Sequence, residues 1–146
     1  MNRTSPSPEA RDLAQRLLVY EANAADSSET DMPAASRVSE KLRRRLTTVA
    51  GVAGYCALLH RALALAKAHV PGLSAVCVKP DGSLEGLNEL HNEEAAKAGA
   101  MLIAQLFELL ITFIGEYLTL SLIHDVWPDL KILERKQIQY DRTRQG

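Results

Sequence analysis

Hydrophobic positions recur at helical spacing over three stretches of the chain and at strand spacing over a fourth. In the first, Leu13, Leu17 and Tyr20 share a face with Leu18 beside them, which predicts a short helix from Pro8 to about Asn23. Ser7 can cap it, Pro8 suits its first turn, and Glu9 and Asp12 favour the positive end of its dipole. The polar run from Ala24 to Pro33 reads as a linker.

The second stretch predicts a long helix from Pro33 or Ser36 to about His69, ended by Pro71-Gly72. Leu42, Val49, Cys56, Leu63 and Val70 repeat every seven residues, and Val52, Leu59 and Ala66 fill a second seam, a coiled-coil-like pattern. Gly51, Tyr55, Leu58, Ala62 and Leu65 form a further face, so from Val49 onward the helix is apolar or small nearly all round and must be covered on several sides. A glycine costs about 1 kcal/mol against alanine inside a helix. Gly51 and Gly54 therefore predict a tight crossing with another helix.

The period then changes. Ala75 to Val78 reads as a strand, Pro80-Asp81-Gly82 as a turn, and Ser83 to Leu87 as the return strand, giving a β-hairpin over about 73–87. Asn88 or Asn92 can cap a third helix that runs from about Glu93 to Val126, where Trp127-Pro128 stops it. Asp129 can start a further short helix using Leu130, Leu133 and Ile132, and residues 131–146 are expected to be that helix or a charged tail. Residues 1–7 read as disordered and residues 8–130 as one domain.

Together these elements predict a mostly α-helical fold: two long antiparallel helices joined by a β-hairpin, with a short N-terminal helix. Two helices cannot cover each other's several apolar faces, so a second copy is expected, giving a four-helix core in a homodimer.

The apolar run Met101 to Ile123 raises the question of a membrane span. Its thirteen Leu, Ile and Phe residues contribute roughly −4 to −8 kcal/mol to insertion, and Glu108 and Glu116 cost about +5 to +7 together. The balance lies near zero, so a lone span is not favoured. Gln105, Glu108, Thr112, Glu116 and Thr119 fall within about 80° of arc on a regular helix. Such a narrow polar stripe suits the central helix of a soluble bundle, a cavity-lining membrane helix, or a pocket in which Gln105, Glu108, Thr112 and Glu116 hold a ligand.

Composition narrows the rest. The 146 residues are 47% hydrophobic and 24% charged, with a net charge of −1 and 5% aromatics. No global basic field favours nucleic acid, and few rings are available to stack on bases. Cys56 and Cys77 lack metal-type spacing and are expected to be buried thiols. No apolar segment follows the N-terminus in the manner of a signal peptide, so a cytoplasmic location is expected.

The sequence contains no phosphate loop, nucleophile elbow or zinc spacing. The histidines, His60, His69, His91 and His124, do not form a metal pair, and Glu108 and Glu116 lack a histidine three residues on, as a di-iron bundle would need. His124 beside Asp125 suits a helix C-terminus. Arg43, Arg44 and Arg45 form the basic cluster, spread 100° apart around the helix, with Glu40 and Glu21 as available partners. They are the candidate contacts for a protein partner. No catalytic residue, metal or cofactor is expected. The chain reads as a non-enzymatic dimerisation or regulatory module that binds a protein. A membrane-associated protein with an intramembrane glutamate stripe and a ligand-binding or enzymatic bundle are the alternatives.

Overall fold

The computed structural model describes residues 5–24, 34–87, 90 and 92–130. Among these the protein is mostly helical, with four α-helices and a small antiparallel sheet: α1 (Pro8–Ala24), α2 (Ala34–Lys67), a 3-10 turn (Pro71–Ala75), β1 (Cys77–Val78), β2 (Leu84–Glu85), α3 (Asn92–Ile114) and α4 (Glu116–Val126). The predicted short helix after Asp129 and the tail at 131–146 lie outside the described residues.

The start of α1 follows the capping chemistry in the sequence. The Ala10 N–H donates to Ser7 Oγ at 3.3 Å. Ser7 also ties α1 to α3, because its own N–H donates to Glu108 Oε1 at 3.0 Å. Pro6, just before it, is buried. Ala10, Leu13, Ala14 and Leu17 enter the core from α1.

α2 departs from the predicted straight helix. Gly51 takes φ 81° and ψ 163°, which splits it into limbs 34–50 and 52–67. A straight helix would separate residues 39 and 55 by about 24 Å, yet the Tyr55 hydroxyl donates to the Ser39 carbonyl at 3.3 Å. The second limb therefore folds back on the first. The seven-residue stripe fails for the same reason: Leu42 and Leu63 are buried, but Val49 is 60% exposed and Val52 49% exposed. The reversal at Gly51 turns the expected seam outward at the bend. The bend also gives Gly51 a different role from the one predicted. Nothing lies within 4 Å of a Cβ added there, so backbone conformation and not close packing requires glycine.

The second predicted helix breaks in the same way. Gly115, at φ 91° and ψ 161°, separates α3 from α4. Close packing falls instead to Gly99, where an added Cβ would lie 2.5 Å from the Ala35 Cβ. This contact aligns the two helices. Gly51 follows Ala35 by 51 − 35 = 16 residues, and Gly115 follows Gly99 by 115 − 99 = 16, about 24 Å in each case. After Gly115, α4 returns toward the Ala35 end, because Asp125 reaches Arg45 at 2.9 Å and Trp127 reaches Glu21 at 2.7 Å. That return requires the first limb of α2 and α3 to run in the same direction. Both glycine bends then sit at one end of the bundle. Cover for the long helices comes from α1, α4 and the folded-back limb of α2 within one chain. A second copy is therefore not required to cover the helix sides.

β1 and β2 pair antiparallel with Cys77 opposite Glu85 and Val78 opposite Leu84. Asp81 Oδ1 accepts the Ser83 N–H at 3.0 Å and its hydroxyl at 2.6 Å, which closes the turn. The strands are shorter than predicted because Pro71–Ala75 forms a 3-10 turn and Val76 is drawn into the core. Cys77 is exposed and Cys56 half-buried, contrary to the expectation of buried thiols. Cys77 lies on the open face of a two-residue strand.

The glycine bends give the first expected outcome. Their backbone region is essentially reserved for glycine, and forcing another residue into it costs about 1–3 kcal/mol. Gly51→Ala and Gly115→Ala should each lose that much stability in urea unfolding, although the space for a methyl group is open. A loss below about 0.5 kcal/mol at both sites would show that the bends are not fixed as described.

Candidate functional site

Two constellations stand out, one at each end of the bundle. At the Ala35 end, Glu21 on α1 is only 2% exposed and carries a full set of donors. Arg37 Nε donates to Oε1 at 3.2 Å and its Nη2 donates to the Glu21 carbonyl at 2.6 Å. Lys41 Nζ and the Trp127 indole N–H share Oε2, the latter at 2.7 Å and fully buried. One carboxylate thus joins α1, α2 and the residue that follows α4. Burial alone would raise the Glu21 pKa, but Lys41, Trp127 and Arg37 outweigh it and hold the carboxyl below its ordinary value. Three of the carboxylate's roughly four acceptor sites are used internally, which suits a structural lock.

The predicted arginine cluster divides as its 100° spacing requires. Arg43 pairs with Glu40 and donates to the Asp81 carbonyl at 3.3 Å, so it braces the hairpin turn. The Glu40 carboxyl is lowered by that bond. Arg45 pairs with Asp125 on α4. Arg44 is 76% exposed and approaches Glu40 only to 4.0 Å. Two of the three arginines are therefore engaged within the chain, and Arg44 alone is presented outward.

The polar stripe on α3 and α4 does not form one lining. Gln105 is buried at 1% exposure, with its amide against Met101 Sδ at 3.8 Å. Glu108 is half-buried and accepts from Ser7. Thr112 is exposed and donates to the Glu108 carbonyl at 2.8 Å. Glu116 is exposed beyond the bend, and Thr119 is buried with its hydroxyl on the Gly115 carbonyl at 2.8 Å. Gly115 lies between Thr112 and Glu116, so the helical arc that united them in the sequence is broken. A shallow groove of about 340 Å³ lies elsewhere, among Leu18, Val19, Ala22, Ala34, Ala35 and Ala96, with Gln15 as a polar member. It brings no acid, base or nucleophile together. Among the described residues no group of three or more His, Cys, Asp and Glu side chains is positioned to hold a metal ion.

The second constellation is the opposite end. Residues 48–53 and 112–118 are exposed throughout. They carry Val49, Val52, Phe113, Ile114, Tyr117 and Leu118, which are 37 to 73% exposed. Of the large hydrophobic side chains exposed among the described residues, Val19 alone lies outside the two bends. Single exposed hydrophobics need no explanation, but six at one end do. Sequence reasoning placed these residues inside helices and missed them. The available signal was a glycine in the middle of each long apolar run.

Two helices, Ala34–Lys67 and Glu93–Ile114, are apolar and long enough to cross a membrane, with 28% and 50% of their most apolar 18-residue stretches buried. The bend at Gly51 leaves residues 52–67 as the straight apolar limb of the first. At 1.5 Å per residue that limb is about 24 Å long, short of a hydrocarbon core of about 30 Å. Compared with protein-family models, curated proteins and solved structures, the chain matches none.

The lock around Glu21 is testable. Glu21→Ala should lower stability by about 3 kcal/mol, because it strands the largely buried Arg37 and removes the acceptor of a buried indole. Since the folded carboxyl ionises below its ordinary value, the unfolded chain binds more protons in the window between the two values. The contribution is present above the unfolded value and is lost as pH falls through the folded one. Denaturant melts from pH 7 to pH 3 should show this loss, and it should be reduced in Glu21→Gln. A wild-type profile no steeper than that of the glutamine variant would exclude the lock.

Proposed function

We propose that the chain is a non-enzymatic helical interaction module that works by binding a protein partner. The observation that supports this reading best is the concentration of exposed apolar side chains at the paired glycine bends. Apolar surface gathered on one face marks a site of association, because leaving it in water is unfavourable by about 25 cal/mol per Å². The bends present it on rigid helix ends, which lowers the ordering cost of binding. The predicted ligand stripe has less support, since Gln105 and Thr119 point inward while Thr112 and Glu116 are exposed. A regulatory role fits a surface that offers association without reacting groups beside it.

Site-specific photocrosslinking tests this. A benzophenone residue replacing Phe113 should form discrete protein adducts, and the same residue replacing His60, which is exposed on the second limb of α2, should not. The Phe113 adducts should disappear when Leu118→Ser is added. Adducts of equal yield from both positions, or lipid adducts alone from position 113, would count against a protein-binding module.

A further inference from the structure

We infer that the partner at the bend end is a second copy of this chain, joined end to end about a twofold axis that passes near Gly51 and Gly115. This rests on the interaction-module reading and specifies its partner. It also moves the expected contact from the sides of the long helices to their shared tip.

Area supports a copy. A large side chain exposes ~150–250 Å² when fully free. At exposures of 37 to 73%, the six apolar side chains leave roughly 600 Å² uncovered on that basis. A stable interface buries about 800 Å² per partner, and homodimer interfaces are about 65% apolar. The tip alone supplies the apolar share of such an interface. Charge also permits it. Glu116 is the one charged residue within the exposed runs 48–53 and 112–118. Arg44, 76% exposed, stands two turns before Gly51. The tip therefore presents one charge per copy on a largely apolar face, with Arg44 about 10 Å behind it, and such a face can bury itself against a second copy. A twofold contact uses the same patch on both partners, and a patch with two similar bends and mixed aromatic and aliphatic side chains can oppose itself.

The test is light scattering after size exclusion of the full chain, across a concentration series without detergent. The wild type should run near twice 16.0 kDa, and Phe113→Ser with Tyr117→Ser should run near 16.0 kDa. The dimer dissociation constant should rise about 100-fold or more, as expected for the loss of two aromatic anchors. Both side chains are exposed, so circular dichroism should show unchanged helicity. Val19→Ser, an exposed apolar position away from the tip, should leave the dimer intact. A wild type that stays monomeric throughout overturns the inference. A double variant that remains a dimer overturns it as well, by placing the contact elsewhere. Flotation of a monomer with phosphatidylcholine or phosphatidylserine vesicles would overturn it in favour of lipid. The failures of the two readings are distinguishable: a monomer that still gives Leu118-dependent protein adducts at position 113 keeps the module and loses the self-contact.

Discussion

Two glycines in a backbone region closed to other residues decide the shape of this protein. Gly51 and Gly115 have nearly the same dihedral angles, φ 81° and ψ 163° against φ 91° and ψ 161°. Each turns a long apolar helix back on itself. Without the first reversal Tyr55 could not reach Ser39, and without the second Asp125 could not reach Arg45. The reversals convert what would be two extended helices into a bundle that covers its own sides. They also set the position of everything uncovered. The residues at a bend have no neighbour beyond them, so their side chains project outward even when they are Val, Phe or Leu.

The other end is closed by charge. Glu21 is taken out of water and made acceptable there by a guanidinium, an ammonium and an indole. Such a cluster adds little net stability compared with well-packed apolar residues, but it is costly to break and it fixes which elements meet. Here it fixes α1 against α2 and places Trp127 beneath both. The molecule is therefore asymmetric in its physics: a locked polar end and an open apolar end, joined by a core of small and branched residues. Tyr55 belongs to the core side of this division. Its burial pushes the phenol up to about 12, so it stays neutral and bonded to Ser39 throughout the ordinary pH range.

Much of the helical content was legible from periodicity, and local chemistry carried well. Ser7 caps α1, Pro71 follows the end of α2, Gly82 takes a positive φ in the turn, and Trp127-Pro128 ends α4. The bends were not legible. A glycine in an apolar run is equally consistent with a tight crossing and with a reversal, and periodicity continues across either. The choice depends on whether the next limb has somewhere to pack, which is a tertiary matter. Once the bends are placed, the heptad stripe loses Val49, and the polar stripe separates Thr112 from Glu116. Glu21 was legible as a partner for cations but not as the lock, since Trp127 lies 127 − 21 = 106 residues away.

The proposed role depends on the shared end more than on any single residue. If the bends lay at opposite ends, each would expose two or four apolar side chains, an ordinary surface feature. Together they form one patch of interface size. The direct measurement is the distance between spin labels at Ala53 and Leu118, one beyond each bend, in protein with Cys56 and Cys77 changed to serine and diluted in unlabelled chain. Neighbouring helices pack about 8–10 Å apart, so with label arms the separation should be below about 30 Å. A distance of about 45 Å or more, the sum of two 24 Å helix runs in opposite directions from the Ala35–Gly99 contact, would contradict it.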